Sequence, residues 1–351
     1  LDRERPDLGR TAARLLGIHV RYQQHENNRP KYLKVPNPAL NQDMYYVLPP
    51  KLLQACMKAL PLATRDGEAI QVGTHDGQAP NRRSPRRPQD VVSIANIGMY
   101  SRAQVEEMSR AANLKKQFST WLRVEVAPAV PATLQPVCVE LSDEMNRLYP
   151  TAYVPGLTQL SDYHASALYL LQPPNWLNDG ITAAFCERLQ QVYHGVKYGG
   201  VFEAKKVTAR AKAKLPDRRL LDRLQALATR DDMTHVFMPV NFGDEHWMCV
   251  MVCQLSQEIK YYDSIPTPAR ERALRELSTS LIDGEDAIFS DYTVVAINNP
   301  IQADGFSCGL FVCLKFWREV DMAVSRNVDG IALTIHRVEM LHLLLRGRKI
   351  Q

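Results

Sequence analysis

The sequence predicts a chain that mixes helices and strands, with the strands grouped in its C-terminal half. Three short runs rich in β-forming residues, 236–242, 246–253 and 258–264, follow one another and are bounded by Gly, Asp, Ser or Pro, as consecutive strands are. A fourth strand is predicted at 293–298. The nearly all-apolar run that begins at Cys308 follows a loop of Asn, Pro, Asp and Gly, which predicts a buried helix.

Length and charge exclude several classes of protein. With 351 residues, of which 45 % are hydrophobic, the chain can bury a core without disulfides. The net charge of +5 is too balanced to indicate a nucleic-acid-binding protein. No stretch approaches the ~20 consecutive apolar residues of a membrane span, and the N-terminus has no signal-peptide core. The chain begins without Met, which is compatible with a fragment.

The seven cysteines follow no spacing typical of a disulfide framework, so we expect a reducing compartment. We expect neither a metal nor a cofactor. Four residues of metal-ligating type, His235, His246, Cys249 and Cys253, fall in the strand region. The two cysteines share strand parity among Val and Met, however, which indicates burial rather than zinc binding.

The pattern changes along the chain and suggests four regions. These are an N-terminal region of unknown function and fold at 1–72, a basic Pro/Arg-rich linker at 73–98, a helical connecting region at 99–152 and a C-terminal domain at 153–351. Helices are predicted at 50–60, after an N-cap at Ser101, at 179–191 and over the basic stretch 204–229, with a Pro-broken connection at 127–136.

Two basic clusters have alternative interpretations. Arg82, Arg83, Arg86 and Arg87 could form a nuclear-import signal, which would place the protein in the nucleus rather than the cytoplasm, or only keep a linker solvated. The basic stretch 210–223 could contact an acidic partner or RNA, or simply form a solvated helix face.

Cys308 is the candidate nucleophile. A cysteine at a helix N-terminus experiences the partial positive charge of the helix end, which favours the reactive thiolate. Cys313, one and a half turns into the helix, lacks this effect and serves as the comparison.

A thiolate nucleophile needs a base and a group that orients the base. His246 and Asp263 lie on two predicted strands whose hairpin would turn near 254–258, so they can lie opposite or diagonal to one another. Asp244 is a rival for Asp263, because it lies two residues before His246. Gln302, six residues before Cys308, can donate its amide to an oxyanion beside the backbone N–H of Cys308.

These residues together resemble the SUMO-type ubiquitin-like-protein protease family. The resemblance lies in the order His246-Trp247, Tyr262-Asp263-Ser264, Gln302 and Ser307-Cys308-Gly309, with an earlier landmark at Asn175-Trp176-Leu177-Asn178-Asp179-Gly180-Ile181. It covers about 173–320. The chain departs from the family at Ser307, where many members have Asp, and its nearest acid is Asp304. It is thus identified as a divergent member of the family.

The resemblance implies a papain-like α+β fold with a mixed central sheet flanked by helices. It implies a cysteine protease that cuts after the C-terminal Gly-Gly of a SUMO-like modifier, which together with its conjugates would be the partner. Trp176, Asp179 and Trp247 would bind the substrate, and the two indoles would wall a tunnel too narrow for a Cβ.

Other activities remain open at this point. A related protease of the same fold could remove NEDD8-like modifiers or ubiquitin, and effector acetyltransferases of related fold use similar residues. A module that binds a modifier without cutting it is a third alternative. The tryptophan pair argues against the acetyltransferase, and the complete catalytic set argues against the binding module.

Overall fold

The structure, a computed structural model, describes 20–25, 48–60, 89–94, 98–150, 152–157, 163–204, 218–243, 245–283 and 288–350. The chain divides into two compact units, one of 1–116 with 149–151 and one of 117–148 with 152–351. Residues 117–148, which the sequence assigned to a connecting region, therefore belong to the same unit as the predicted catalytic residues.

The first unit contains a three-stranded antiparallel sheet and a helix. Its strands are β1 (Val20–His25), β2 (Gln89–Ile94) and β3 (Gly98–Ser101), in that order across the sheet. Helix α1 (Pro50–Ala59) buries Leu52, Leu53 and Cys56, whose spacing predicted it. Strand β2 lies inside the range predicted to be a linker, so that prediction is wrong over Gln89–Ile94. Helix α2 (Arg102–Thr120) begins directly after Ser101.

Helical segments make up much of the second unit. In chain order they are a π-helical segment (Trp121–Val126), a helical turn (Ala127–Ala129), α3 (Gln135–Arg147), α4 (Ala165–Leu168), a 3-10 turn (Tyr169–Leu171), α5 (Asp179–Val192), α6 (Arg218–Ala228), α7 (Pro268–Ser280), α8 (Cys308–Val320) and α9 (Ile331–Arg346). The helical turn at Ala127–Ala129 shows that the connection predicted at 127–136 begins later, at Val130. None of the described helices combines the length and apolarity needed to cross a bilayer.

A six-stranded mixed sheet forms the centre of this unit. Its strands are β4 (Val196–Tyr198), β5 (Phe202–Ala204), β6 (His235–Phe242), β7 (His246–Cys253), β8 (Glu258–Asp263) and β9 (Thr293–Ile297). The order is β4-β6-β7-β8-β9, and β5 also pairs with β6. β6, β7 and β8 are antiparallel neighbours, whereas β4 and β5 run parallel to β6 and β9 parallel to β8. This confirms the α+β class with a mixed sheet.

One sequence prediction fails at an edge of this sheet. The helix predicted over 204–229 is wrong at its start, because Phe202–Ala204 form β5 and the helix α6 covers only Arg218–Ala228. Residues 205–217 lie outside the described residues. The prediction fails at Ala204 because three residues of strand give little periodicity.

Both faces of the sheet are covered. On one face, Val236, Val240, Val250 and neighbouring residues pack with Leu274 and Leu277 of α7. On the other, Phe237 of β6 stacks on Phe316 of α8 with ring centroids 4.6 Å apart. Strands buried on both sides explain why the runs are almost continuously apolar. The sheet is therefore a rigid support for residues at its edge.

Candidate active site

Cys308 is the first residue of α8 and is buried. The helix begins here because the preceding loop carries Pro, Asp and Gly, while the following residues are apolar and form the contact with β7. The carbonyl of Ser307 accepts the first helical hydrogen bond, from the N–H of Phe311, at 2.9 Å. Cys313 is completely buried, and burial raises the pKa of its thiol well above the ordinary value. It is therefore an inert structural cysteine.

His246 and Asp263 meet at one end of the sheet. His246 begins β7 and Asp263 ends β8. Since the two strands are antiparallel, both residues lie at the same end of this strand pair. The register pairs Asp263 with Met248, so His246 lies diagonal to Asp263 on the same sheet face. The Nε2 atom of His246 is 2.6 Å from Oδ1 of Asp263, and both side chains are buried.

The ionisation of His246 is set by its two partners. Burial lowers the pKa of His246, but the hydrogen bond to Asp263, the interaction with Cys308 and the charges of both residues outweigh burial and raise this pKa to about 9. Because Nε2 is bound to Asp263, Nδ1 is the ring nitrogen that remains for Cys308. The structure thus brings together the three residues that the sequence proposed.

Asp263 has two further partners. Its Oδ1 also accepts the N–H of Ile265 at 2.9 Å, and its Oδ2 accepts Nε–H of Arg270 at 2.8 Å. Arg270 lies in the first turn of α7, whose N-cap is Thr267. The sequence reasoning missed Arg270. The Thr-Pro start of a helix four residues after Asp263 was the available signal, since it places the next turn beside the strand end.

Gln302 is fixed on the loop that leads to Cys308. Its N–H donates to the carbonyl of Ser264 at 2.9 Å, and its Oε1 accepts the Ser264 hydroxyl at 2.8 Å. This orients the amide so that Nε2 donates to the carbonyl and Oδ1 of Asp304, at 2.7 and 3.0 Å. In this structure the amide that the sequence predicts as an oxyanion donor has Asp304 as its acceptor.

Asp304 organises the same loop. Its Oδ1 also accepts the N–H groups of Phe306 and Ser307, at 2.9 and 2.8 Å. Burial raises the pKa of Asp304, but these hydrogen bonds outweigh it and hold the pKa below its usual value. This chain has Ser at position 307, where many members of the resembled family have Asp. Its nearest acid, Asp304, caps the turn before α8.

The two tryptophans occupy different environments. Trp247 is buried and donates Nε1–H to the carbonyl of Leu177 at 2.7 Å. Trp176, the residue before Leu177, is 46 % exposed. Both segments lie beside the nucleophile, since a Cβ built on Gly309 would be 2.9 Å from Cβ of Leu177 and 3.2 Å from Cδ1 of Trp247.

Asp179 is the first residue of α5. Its Oδ1 lies 3.4 Å from Nδ2 of Asn241, and the helix is capped by the side chain of Asn178, which accepts the N–H of Ile181 at 3.1 Å. The rival acid Asp244 lies outside the described residues.

The alternative metal set is not assembled. His246 and Cys253 stand at opposite ends of β7, and the register places Cys253 beside His235. His235 and Cys253 instead lie close to Glu319 of α8. The carboxylate of Glu319 is already neutralised by Lys260 and Lys315, so this cluster is an internal ion-pair network.

The chain is similar to known proteins in this region. Residues 202–342 match the family described as Ulp1 protease family, C-terminal catalytic domain. Ubiquitin-like-specific protease 1 of Saccharomyces cerevisiae is 24 % identical over 149 residues, which are 41 % of this chain and 23 % of that protein. This chain thus spans about a quarter of the length of that relative.

Solved structures of the same kind are also similar. The C-terminal Ulp1 protease domain in complex with Smt3, the yeast ortholog of SUMO, shares 19 % identity, covers 52 % of this chain and 83 % of its own, and gives a TM-score of 0.41. SUMO protease Ulp1 with its catalytic cysteine oxidized to a sulfonic acid shares 17 %, covers 62 % and 95 %, and gives 0.44. The Ulp1-like SUMO protease catalytic domain of Chaetomium thermophilum shares 16 %, covers 61 % and 89 %, and gives 0.40.

The family match spans the strand that carries His246, the strand that ends at Asp263, the loop that carries Gln302 and the helix that begins at Cys308. Over 202–342 the chain therefore resembles the Ulp1 protease family.

Proposed function

We propose that the protein is a cysteine protease that cleaves after the C-terminal Gly-Gly of a SUMO-like modifier, releasing it from a precursor or a conjugate. The observation that carries the proposal is His246, held by Asp263 at 2.6 Å and close enough to Cys308, at the start of α8, for this cysteine to raise the pKa of the imidazole. A base, its orienting acid and a cysteine at a helix N-terminus form the arrangement that thiol-dependent acyl transfer needs.

The reaction starts from the ion pair in which the Cys308 proton resides on His246, whose raised pKa keeps the imidazole protonated at neutral pH. The thiolate attacks the glycyl carbonyl, and the resulting oxyanion accepts the backbone N–H of Cys308, which has no intrahelical acceptor at the helix start. Gln302 supplies a second donor when Nε2 exchanges an Asp304 oxygen for the oxyanion. His246 then protonates the departing amine, and water, deprotonated by His246, hydrolyses the thioester.

Selection for glycine follows from the crowding beside the nucleophile. Trp247, Leu177 and Gly309 pack so closely that a methyl group on Gly309 would collide with Leu177. Trp176, the residue before Leu177, is 46 % exposed, and Asp179 is the first residue of α5. A substrate tail that passes between two indole faces has no room for a side chain, so exclusion favours Gly-Gly.

The first experiment tests the nucleophile. A SUMO vinyl sulfone should label Cys308 in the intact chain, as read by peptide mass spectrometry, and Cys308→Ala should abolish labelling. Cys313→Ala, at a buried cysteine of the same helix, should label normally if it folds. Labelling of Cys313 in place of Cys308 would overturn the assignment.

The second experiment identifies the modifier. Cleavage rates are measured on fluorophore conjugates of SUMO, NEDD8 and ubiquitin. Fastest cleavage of SUMO supports the proposal, and preference for NEDD8 or ubiquitin would replace the substrate but keep the chemistry. Cleavage of none, with acetylation of a peptide by acetyl-CoA, would indicate the acetyltransferase, while tight binding without cleavage would indicate a binding module.

The place of action is proposed on separate grounds. Arg82, Arg83, Arg86 and Arg87 lie outside the described residues and form a Pro-bounded basic run that an import receptor could bind in extended form. Changing all four to Ala in a fluorescent fusion should lower the nuclear fraction. An unchanged distribution would contradict nuclear import through this run and leave the catalytic proposal intact.

A further inference from the structure

Arg337 is a buried cation next to the nucleophile loop. It lies on α9 with 1 % of its surface exposed and is among the largest fully buried side chains. Its Nη1 donates to the carbonyl of Leu171 at 3.0 Å and its Nη2 donates to Oγ of Ser307 at 3.1 Å. Both acceptors are neutral, and within the described part of the chain no carboxylate forms an ion pair with Arg337.

Burial of a charge without an ion pair is costly, so the position calls for a reason. Burial lowers the pKa of Arg337 to about 10, against the opposing charges of Asp304 and Cys308. The guanidinium therefore stays protonated at neutral pH. The carboxylate of Asp304 is already engaged by the N–H groups of Gln302, Phe306 and Ser307.

Ser307 connects Arg337 to the nucleophile. Every polar atom of Ser307 has a partner: its N–H donates to Asp304, its carbonyl accepts from Phe311, and its hydroxyl accepts from Arg337. The residue that directly precedes Cys308 is thus fixed from three sides. Many members of the resembled family carry Asp at this position, which would neutralise a neighbouring guanidinium. Here position 307 is a neutral serine, which does not neutralise the charge of Arg337.

We propose that Arg337 is a positioning residue that helps to fix the start of α8 through Ser307 and that stabilises the Cys308 thiolate through its own charge, which no ion pair neutralises. The inference rests on the proposed function, because it takes Cys308 as the nucleophile. It goes beyond that function by assigning the thiolate a cationic neighbour in addition to His246 and the helix N-terminus.

The test measures the pH dependence of Cys308 alkylation by iodoacetamide, a neutral reagent that requires no modifier. The intact chain and its variants are alkylated between pH 4 and pH 10, and the Cys308 peptide is quantified by mass spectrometry. Ser307→Asp retains Arg337 but neutralises it, and Arg337→Met removes the charge. Each variant should raise the pH midpoint of Cys308 alkylation by about one unit. Ser307→Ala keeps the charge and should move it much less.

Arg188 is the matched control. It is also a buried arginine, with Nη2 donating to the carbonyl of Leu344 at 2.6 Å, and its acceptors lie away from the nucleophile loop. Arg188→Met should destabilise the fold and leave the alkylation midpoint unchanged. An equal shift in this variant would show that the effect is general loosening and would overturn the proposal.

A cavity of about 490 Å³ allows an additional rescue test. Arg337, Asp304 and Ser307 line it together with apolar residues that include Phe306 and Leu333. In Arg337→Ala, millimolar methylguanidinium should enter this cavity and return the midpoint toward the wild-type value. Methylammonium, which lacks the planar fork, should do so less well.

The outcomes separate the two proposals. A raised midpoint in Arg337→Met that methylguanidinium reverses in Arg337→Ala supports the role of Arg337 even if no modifier is cleaved, whereas the new carboxylate of Ser307→Asp raises the midpoint with or without Arg337. Unchanged midpoints in folded Ser307→Asp would refute it even if SUMO is cleaved. Because Ser307→Asp retains every α9 side chain, its unchanged midpoint would refute the proposal whether or not the Arg337 variants fold.

Discussion

Arg270 forms an ion pair with Asp263, the carboxylate that is hydrogen-bonded to the candidate base His246. Nε of Arg270 is 2.8 Å from Oδ2 of Asp263, while the other carboxylate oxygen faces His246. One buried carboxylate is therefore shared by a permanent cation and a histidine. Arg270 fixes the plane of the carboxylate, but its charge also opposes protonation of the imidazole.

Arg270→Gln should separate these two effects. Loss of the orienting bond should lower kcat by about tenfold, since small misplacements of a catalytic group are costly. Loss of the cation should move the alkaline limb of the pH–rate profile to higher pH. Arg275→Gln, on the same helix in an exposed pair with Glu271, is the control and should change neither. A profile identical to wild type would exclude Arg270 from the site.

Asp263→Asn should have the opposite effect on the pH profile. The raised pKa of His246 keeps the imidazole protonated at pH 7, and the proton is lost as the pH rises through about 9. Removing the carboxylate lowers this pKa, so the alkaline limb moves to lower pH, and turnover falls on the order of 10³-fold. Near-full activity would point to another acid, with Asp244 as the first candidate.

The same pair should contribute to folding stability in a pH-dependent way. Because the folded-state pKa of His246 exceeds its ordinary value of 6.5, the stabilisation is complete below that value and is lost as the pH rises through about 9. Urea unfolding should show this loss in the wild type and a flatter pH dependence in Asp263→Asn. Equal slopes in the two proteins would contradict the coupling.

Gly309→Ala should disturb the wall beside the nucleophile. The new Cβ would lie 2.9 Å from Cβ of Leu177 and 3.2 Å from the Trp247 ring, so we expect destabilisation of about 1–3 kcal/mol and slower labelling of Cys308. Gly305→Ala, four residues earlier, has no atom within 4 Å of the added Cβ and should be tolerated. Urea unfolding and vinyl sulfone labelling measure both. Similar behaviour of the two variants would mean that the contact is relaxed in solution.

The two tryptophans should respond differently to substitution. Trp176 is 46 % exposed, so Trp176→Ala should alter stability by less than about 0.5 kcal/mol while raising KM for a Gly-Gly substrate. Trp247→Phe leaves the buried carbonyl of Leu177 without its donor and should cost about 1–3 kcal/mol of stability. Unchanged KM in Trp176→Ala would remove this residue from the proposed tunnel.

The sequence alone was sufficient for features that depend on neighbouring residues. The apolar runs predicted β6, β7 and β8, because strands buried on both faces need continuous apolar sequence. The polar loop before an apolar run predicted that α8 begins at Cys308. The needs of a thiolate nucleophile then indicated His246, Asp263 and Gln302, which the structure places at the start of β7, at the end of β8 and on the loop before α8. Weak local patterns failed, as at the three-residue strand β5 and at β2 inside the predicted linker.

Tertiary structure decided the contacts between residues far apart in sequence. The register of β7 and β8 made His246 diagonal to Asp263, and only the fold could bring Arg270 to the far oxygen of that carboxylate. The burial of Arg337 beside Ser307 joins residues 30 positions apart. Helical and strand periodicity report which face of an element is apolar. They carry no information about which distant polar group will meet it, because that depends on how elements pack and on which charges burial leaves unneutralised.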